Sequence, residues 1–166
     1  MTAEYFINCL HLQPHPEGGF FRETYRAGET IPANALPARF AGARNFSTAI
    51  YYLLQQGDFS AFHRIQSDEC WHFYAGDTLL IHVIEEDGKY YCIQLGSNIA
   101  AGETLQCIVP ATAWFAAEPA PGSAFTLTGC TVAPGFDFSD FEMAERKALL
   151  DIYPQHSGII NRFSRE

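Results

Sequence analysis

Residues Phe62–Gly76 read FHRIQSDECWHFYAG. The stretch holds two histidines, two acids and a tryptophan, and it ends on a glycine. In extended chain, residues two apart share a face. His63 and Ile65 therefore point one way, and Arg64 the other. Glu69, Trp71 and Phe73 share one face in the second half, and His72 is sent to the opposite one. The segment reads as two strands that carry polar, titratable groups on a side where a sheet protein keeps its core.

Strands follow one another at short spacing on either side. Gly57-Asp58 turns into Phe59–Ile65, and Glu69–Tyr74 follows. Gly76-Asp77 leads into Thr78–Glu85, and Asp87-Gly88 is a two-residue hairpin signal before Lys89–Leu95. Thr104–Val109, Ala113–Ala117 and Ala124–Val132 continue the series, the last with period-two alternation. Upstream, Phe20–Tyr25 and Ser47–Leu54 read as strands, the latter apolar on both faces. Ala27–Asn45, with its prolines, glycines and small residues, reads as a loop. His11–Gly19 (HLQPHPEGG) is extended and then turns at paired glycines. Many short strands with glycine turns predict an antiparallel barrel or jelly roll, all-β in class, whose open mouth is a natural ligand site.

Helices are expected only near the ends. Thr2 caps a first helix over about Ala3–Leu10. Ser139-Asp140-Phe141-Glu142 has the form of a capping box, and Phe141, Ala144, Ala148 and Leu149 recur at helical spacing. This predicts a helix from about Ser139 to Ile152, before Pro154.

The 166 residues fit one domain spanning 1–166, and 48% hydrophobic content supports a core. Net charge is −9, a balance that repels phosphate backbones and argues against nucleic-acid or anionic-membrane partners. Five cysteines without a CxxC pair read as free thiols of a reducing compartment. No secretory leader or membrane span is visible, so the cytoplasm is the expected location.

The spacing Gly57-x5-His63-x-Ile65-x3-Glu69-x6-Gly76 resembles the first cupin motif, with Ile65 where a second histidine is usual. Phe115, five residues after Pro110, stands where the second motif places another histidine. Five stretches in order resemble more closely still one largely uncharacterised cupin group of bacteria, fungi and plants. They are PHPEGGFFRETY (Pro14–Tyr25), STAIYYLL (Ser47–Leu54), FHRIQSDECWHFYAGD (Phe62–Asp77), VPATAWFAA (Val109–Ala117) and GCTVAPGFDFSDFE (Gly129–Glu142). The resemblance implies a jelly-roll barrel related to sugar-nucleotide epimerase cupins, usually dimeric, and brings no settled reaction.

The residues and the resemblance together give a candidate site. His63, an imidazole suited to proton abstraction near neutral pH, is the candidate base, with Glu69 to orient it or act as its acid partner. Trp71, Phe73 and Phe115 are candidates for an aromatic ligand wall, though each also suits ordinary core. Arg22 and Tyr51 are further ligand-binding candidates. His63 and Glu69 fall short of the three or four protein ligands of a tight metal site. No cofactor is therefore expected, and a divalent metal at His63 and Glu69 is the lesser alternative. The leading expectation is a small-molecule-binding protein acting as a metal-independent isomerase or epimerase on a sugar-nucleotide-like or small acid ligand. A non-catalytic binding module and a metallo-cupin with a reduced ligand set are the alternatives. The apolar outer faces of Ser47–Leu54 and Phe20–Tyr25 need cover, which predicts a symmetric homodimer.

Overall fold

The computed structural model describes residues 1–165. A short helix, α1 (Ala3–Cys9), opens the chain, with the Thr2 hydroxyl accepting from the Tyr5 N–H at its N-cap. Strands β1 (Gln13–Pro14) and β2 (Phe20–Arg26) form a hairpin around the PHPEGG turn. The segment expected as loop contains a small two-stranded pairing, β3 (Thr30–Ile31) with β4 (Arg44–Asn45). Then come β5 (Thr48–Gln55), β6 (Ser60–Arg64), β7 (Asp68–Gly76), β8 (Leu79–Ile84) and β9 (Tyr90–Leu95). The series ends with β10 (Gln106–Val109), β11 (Trp114–Pro119), β12 (Phe125–Ala133) and β13 (Glu142–Met143), followed by α2 (Arg146–Ile152) and α3 (Ser157–Phe163).

Two antiparallel sheets face each other as a jelly roll. One has the order β1-β2-β5-β12-β7-β10, the other β13-β6-β11-β8-β9. Between them lies the main core, with Tyr52, Leu54, Trp71, Leu79, Ile81, Val83 and Phe115 all essentially without solvent contact. The turn glycines do what the chain requires of them: Gly76 has φ +92°, and a side chain there would run into the Phe125 carbonyl.

The outer face of the five-stranded sheet is covered by the C-terminal helices, where Phe62, Ile84 and Trp114 pack with Leu149, Ile160 and Phe163. On the other sheet, α1 covers Leu53, Phe125 and Leu127 at one end. The chain thus supplies part of the cover for β5 that was expected from a second subunit.

The expected helix Ser139–Ile152 begins later, at Arg146, with no side-chain cap. Asp140 is drawn instead into a buried ion pair with Arg44, whose Nε lies 2.6 Å from Oδ2. The Ser139 hydroxyl donates to Asp137 and accepts from Arg44. Glu142 and Met143 then pair with β6 as an edge strand. A charge-assisted bond to a buried guanidinium outweighs an exposed cap. Pro154 ends α2, but the chain resumes helix in α3, beyond the expected end of helix before Pro154.

Candidate functional site

One end of the barrel opens into a cavity of about 80 Å³. His63 and Glu69 both line it. They do not pair with each other, because β6 and β7 belong to different sheets and face one another across the barrel. The partner of His63 is Glu17, from the PHPEGG turn: Nε2 lies 2.9 Å from Oε2, with both side chains buried.

Local backbone explains the arrangement. The His63 Nδ1 lies 2.7 Å from the Ala61 carbonyl, which can only accept, so Nδ1 carries a hydrogen. The N–H of the same Ala61 donates to the Glu17 carbonyl oxygen at 3.1 Å. One residue of β6 therefore fixes the ring of His63 and the backbone of Glu17. The Arg165 guanidinium donates to the same Glu17 oxygen at 2.9 Å. Gly18, at φ +123°, lets the turn press against β6; a side chain there would collide with the Phe59 carbonyl.

With Nδ1–H bound to Ala61, a proton must lie between His63 Nε2 and Glu17 Oε2. Burial alone would push the Glu17 pKa up and the His63 pKa down. Their mutual attraction and hydrogen bond outweigh this, holding Glu17 below the usual carboxylate range and His63 above the usual imidazole one. Both directions favour an imidazolium facing a carboxylate. His15 completes this corner: its Nδ1 accepts from the Glu17 N–H at 3.3 Å, and burial pushes its pKa down.

Glu69 has a different environment. Burial pushes its carboxyl pKa up to about 7; His63 offsets this only in part, and the Glu17 charge opposes its ionisation. Cys130 stands beside it in the cavity wall, its thiol held protonated by burial and by Glu69. A buried carboxyl that titrates near neutrality can give or take a proton at physiological pH.

The mouth comes from two segments. On β2, Phe21 and Glu23 face inward while Arg22 faces out. A register shift between Glu23 and Tyr25 then turns Arg26 inward as well. Arg26 Nη2 meets Glu23 at 2.7 Å, and Nη1 donates to Asn45 Oδ1 and the Phe136 carbonyl. The stretch before β13 brings Phe136, Phe138 and Phe141 to the rim.

The other sequence candidates fall elsewhere. Phe115 sits opposite His63 in the β6–β11 ladder, its ring centroid 4.0 Å away, as packing beneath the imidazole. Trp71 is core between Tyr52 and Phe115. Phe73 lines a separate depression with Asp77, Thr78 and Glu103. Arg22 and Tyr51 are ladder partners on the outer face, with the guanidinium 5.8 Å from the ring. Arg64 turns away from His63 to meet Glu142, and His72 faces out toward Thr131.

As a metal site, the donor set does not fit. His63 has no ring nitrogen to offer while Ala61 and Glu17 hold both, and Ile65 and Phe115 supply no donor. Among the described residues, no group of three or more His, Cys, Asp or Glu is placed to hold an ion. No helix among them is long and apolar enough to cross a membrane.

The family model described as Cupin superfamily (DUF985) matches residues 4–144. An uncharacterized protein of Saccharomyces cerevisiae, YML079W, is 30% identical over 148 residues, covering 84% of this chain and 73% of that one. Among solved structures, protein SO0799 from Shewanella oneidensis is 40% identical, with TM-score 0.88 over 99% of this chain and 98% of that one. A hypothetical protein from Leishmania major is 35% identical, with TM-score 0.89 and both chains fully covered. A two-sheet barrel with its polar cluster at one mouth, matched along most of its length by this model, places the chain in the cupin superfamily, within the DUF985 group.

Proposed function

We propose that the protein binds a small carbonyl compound in the barrel cavity and moves a proton on it, as a metal-independent isomerase or epimerase. The observation that carries this reading is the 2.9 Å contact between His63 Nε2 and Glu17 Oε2 inside the cavity, with Glu69 facing it. The base expected at His63 is then the pair. Glu17 takes the proton from the carbon next to the carbonyl through Oε1, the oxygen turned from His63 and 3.6 Å from the His15 Nδ1, and His63 stabilises the carboxylate until it reacts. Glu69, protonated in its apolar surroundings, gives its proton to the developing enolate oxygen. Return of a proton to carbon, at the same carbon or its neighbour, restores both groups and yields an epimer or an isomer.

The test is deuterium wash-in, followed by proton NMR, for a panel of small carbonyl compounds in D₂O. His63→Gln and Glu17→Gln should each slow exchange by about 10²–10⁴-fold, the usual worth of a positioned proton-transfer group. A compound that binds in the cavity yet never exchanges would leave a non-catalytic binding module instead. Stoichiometric metal in the purified protein, with exchange lost on chelation, would point to the metallo-cupin reading.

A further inference from the structure

The charges around the cavity restrict what can enter it. Two side chains lining it are cationic, and both are committed. His63 shares one proton with Glu17, so that pair is neutral overall wherever the proton sits. Arg26 directs Nε and Nη2 to the two Glu23 oxygens at 3.1 and 2.7 Å. Its Nη1 goes to Asn45 Oδ1 and the Phe136 carbonyl at 2.9 and 3.0 Å. His15 accepts a backbone N–H at Nδ1 and adds no charge. Glu69 adds either nothing or a negative charge. A phosphate or carboxylate would meet no uncommitted cation, and beside Glu69 its desolvation would go uncompensated.

The rim has the opposite character. Phe136, Phe138 and Phe141 stand mutually edge-to-face, with ring centroids 5.0, 6.2 and 6.4 Å apart. The Phe138 ring is 59% exposed at the mouth, where no core requires it. This wall is held in place: the Phe136 N–H donates to the Thr48 hydroxyl at 2.9 Å, and its carbonyl accepts from Arg26. Fixed, partly exposed phenyl rings favour a flat partner over a puckered one.

We infer that the ligand of this cavity is an uncharged molecule with a flat, apolar ring face and one polar end, the ring against Phe136, Phe138 and Phe141 and the polar end on Glu17, His63 and Glu69. This rests on the cavity being a ligand site, as proposed above, and narrows its ligand away from sugar nucleotides and small acids.

Matched probes test it. Phenylacetamide and phenylacetate differ in charge, phenylacetamide and cyclohexylacetamide in flatness; uridine diphosphate glucose represents the charged sugars. With binding followed by NMR titration, phenylacetamide should bind about tenfold or more tighter than phenylacetate. It should also bind several-fold tighter than cyclohexylacetamide, and uridine diphosphate glucose should not displace it. Phe138→Ala should weaken phenylacetamide roughly 2- to 10-fold, and Phe138→Tyr should not. Glu23→Gln releases Arg26 and should raise phenylacetate affinity. Equal or tighter binding of phenylacetate or uridine diphosphate glucose to the wild type overturns the inference, as does indifference to Phe138→Ala or failure of every probe to bind. Deuterium wash-in is a separate readout: binding as described without exchange sinks the isomerase reading alone, and exchange on a charged ligand sinks this inference alone.

Discussion

The imidazole of His63 and the carboxylate of Glu17 form a buried ion pair across 2.9 Å, one on a barrel strand and the other on a turn near the start of the chain. Removing one partner strands the other without compensation, which typically costs 3–5 kcal/mol, about ten times an exposed pair. His63→Leu and Glu17→Leu should therefore each destabilise by about 3 kcal/mol or more. The double variant should lose much less than the sum, measured by urea denaturation of all four proteins. Additive losses would mean that the pair is not a unit.

The pair has its own pH window. Glu17, lowered from 4.5, contributes stability above that value and loses it as the pH falls through its folded pKa. His63, raised from 6.5, contributes below that value and loses it as the pH rises through its folded pKa.

Glu69 acts in the opposite sense to Glu17. Its pKa rises from 4.5 to about 7 on folding, so the native state binds the proton more tightly. Stability is full below pH 4.5, falls as the pH rises toward 7, and is then flat. At about 1.4 kcal/mol per unit, the loss is on the order of 3 kcal/mol as a ceiling. Glu69→Gln mimics the protonated acid. It should match the wild type at pH 4.5 and exceed it by roughly 2 kcal/mol at pH 8, read from urea midpoints. A difference independent of pH would refute the assignment.

His82 lies on the outer face of the second sheet, buried under α3, with its ring 5.0 Å from Phe163. Tyr90 Oη is 2.9 Å from Nδ1, and Glu118, itself paired with Arg162, is 3.6 Å from Nε2. Burial, helped by Arg162, lowers its pKa from 6.5 to about 4. The unfolded chain takes up this proton first, so stability falls as the pH drops from 6.5 toward 4. His82→Gln should flatten that acid limb in thermal melts. At pH 5, amide exchange should open Ser157–Phe163 sooner in the wild type than in the variant.

The homodimer expected from the sequence remains a proposal, and the outer face of the six-stranded sheet is where it would form. Tyr25, Tyr74 and Ile108 are about half exposed on that sheet. Such a face is covered in most stable assemblies. Light scattering at micromolar concentration should give twice the chain mass, and Tyr74→Glu should shift it toward the monomer. A monomeric wild type would end the idea.

Most strands were legible because alternation and turn glycines act locally. Asp87-Gly88 and Gly76-Asp77 mark reversals in the sequence and in the fold alike. His63 and Glu69 were legible because motif spacing carries over. Glu17 was not, because a proline- and glycine-rich turn looks like a connector until the tertiary fold presses it onto β6. Arg22 and Tyr51 face out while Phe21, Glu23 and Arg26 line the cavity, because β2 mixes polar and apolar residues on both faces, which conceals the inward parity, and a bulge changes that parity midway. Phe141 matched a helical stripe, but the buried Arg44–Asp140 pair takes that stretch for the rim. Long-range pairing of this kind leaves no periodic trace.

Glu17 is anchored from both directions along the chain, by Ala61 and by Arg165. During synthesis the turn leaves the ribosome before β6, so its carboxylate does not meet His63 until β6 emerges. The guanidinium that steadies its carbonyl arrives about 100 residues later still, roughly 5–20 s at ordinary elongation rates. The turn is thus clamped in two stages: a nascent chain with a finished barrel but no Arg165 would hold the His63–Glu17 pair through Ala61 alone.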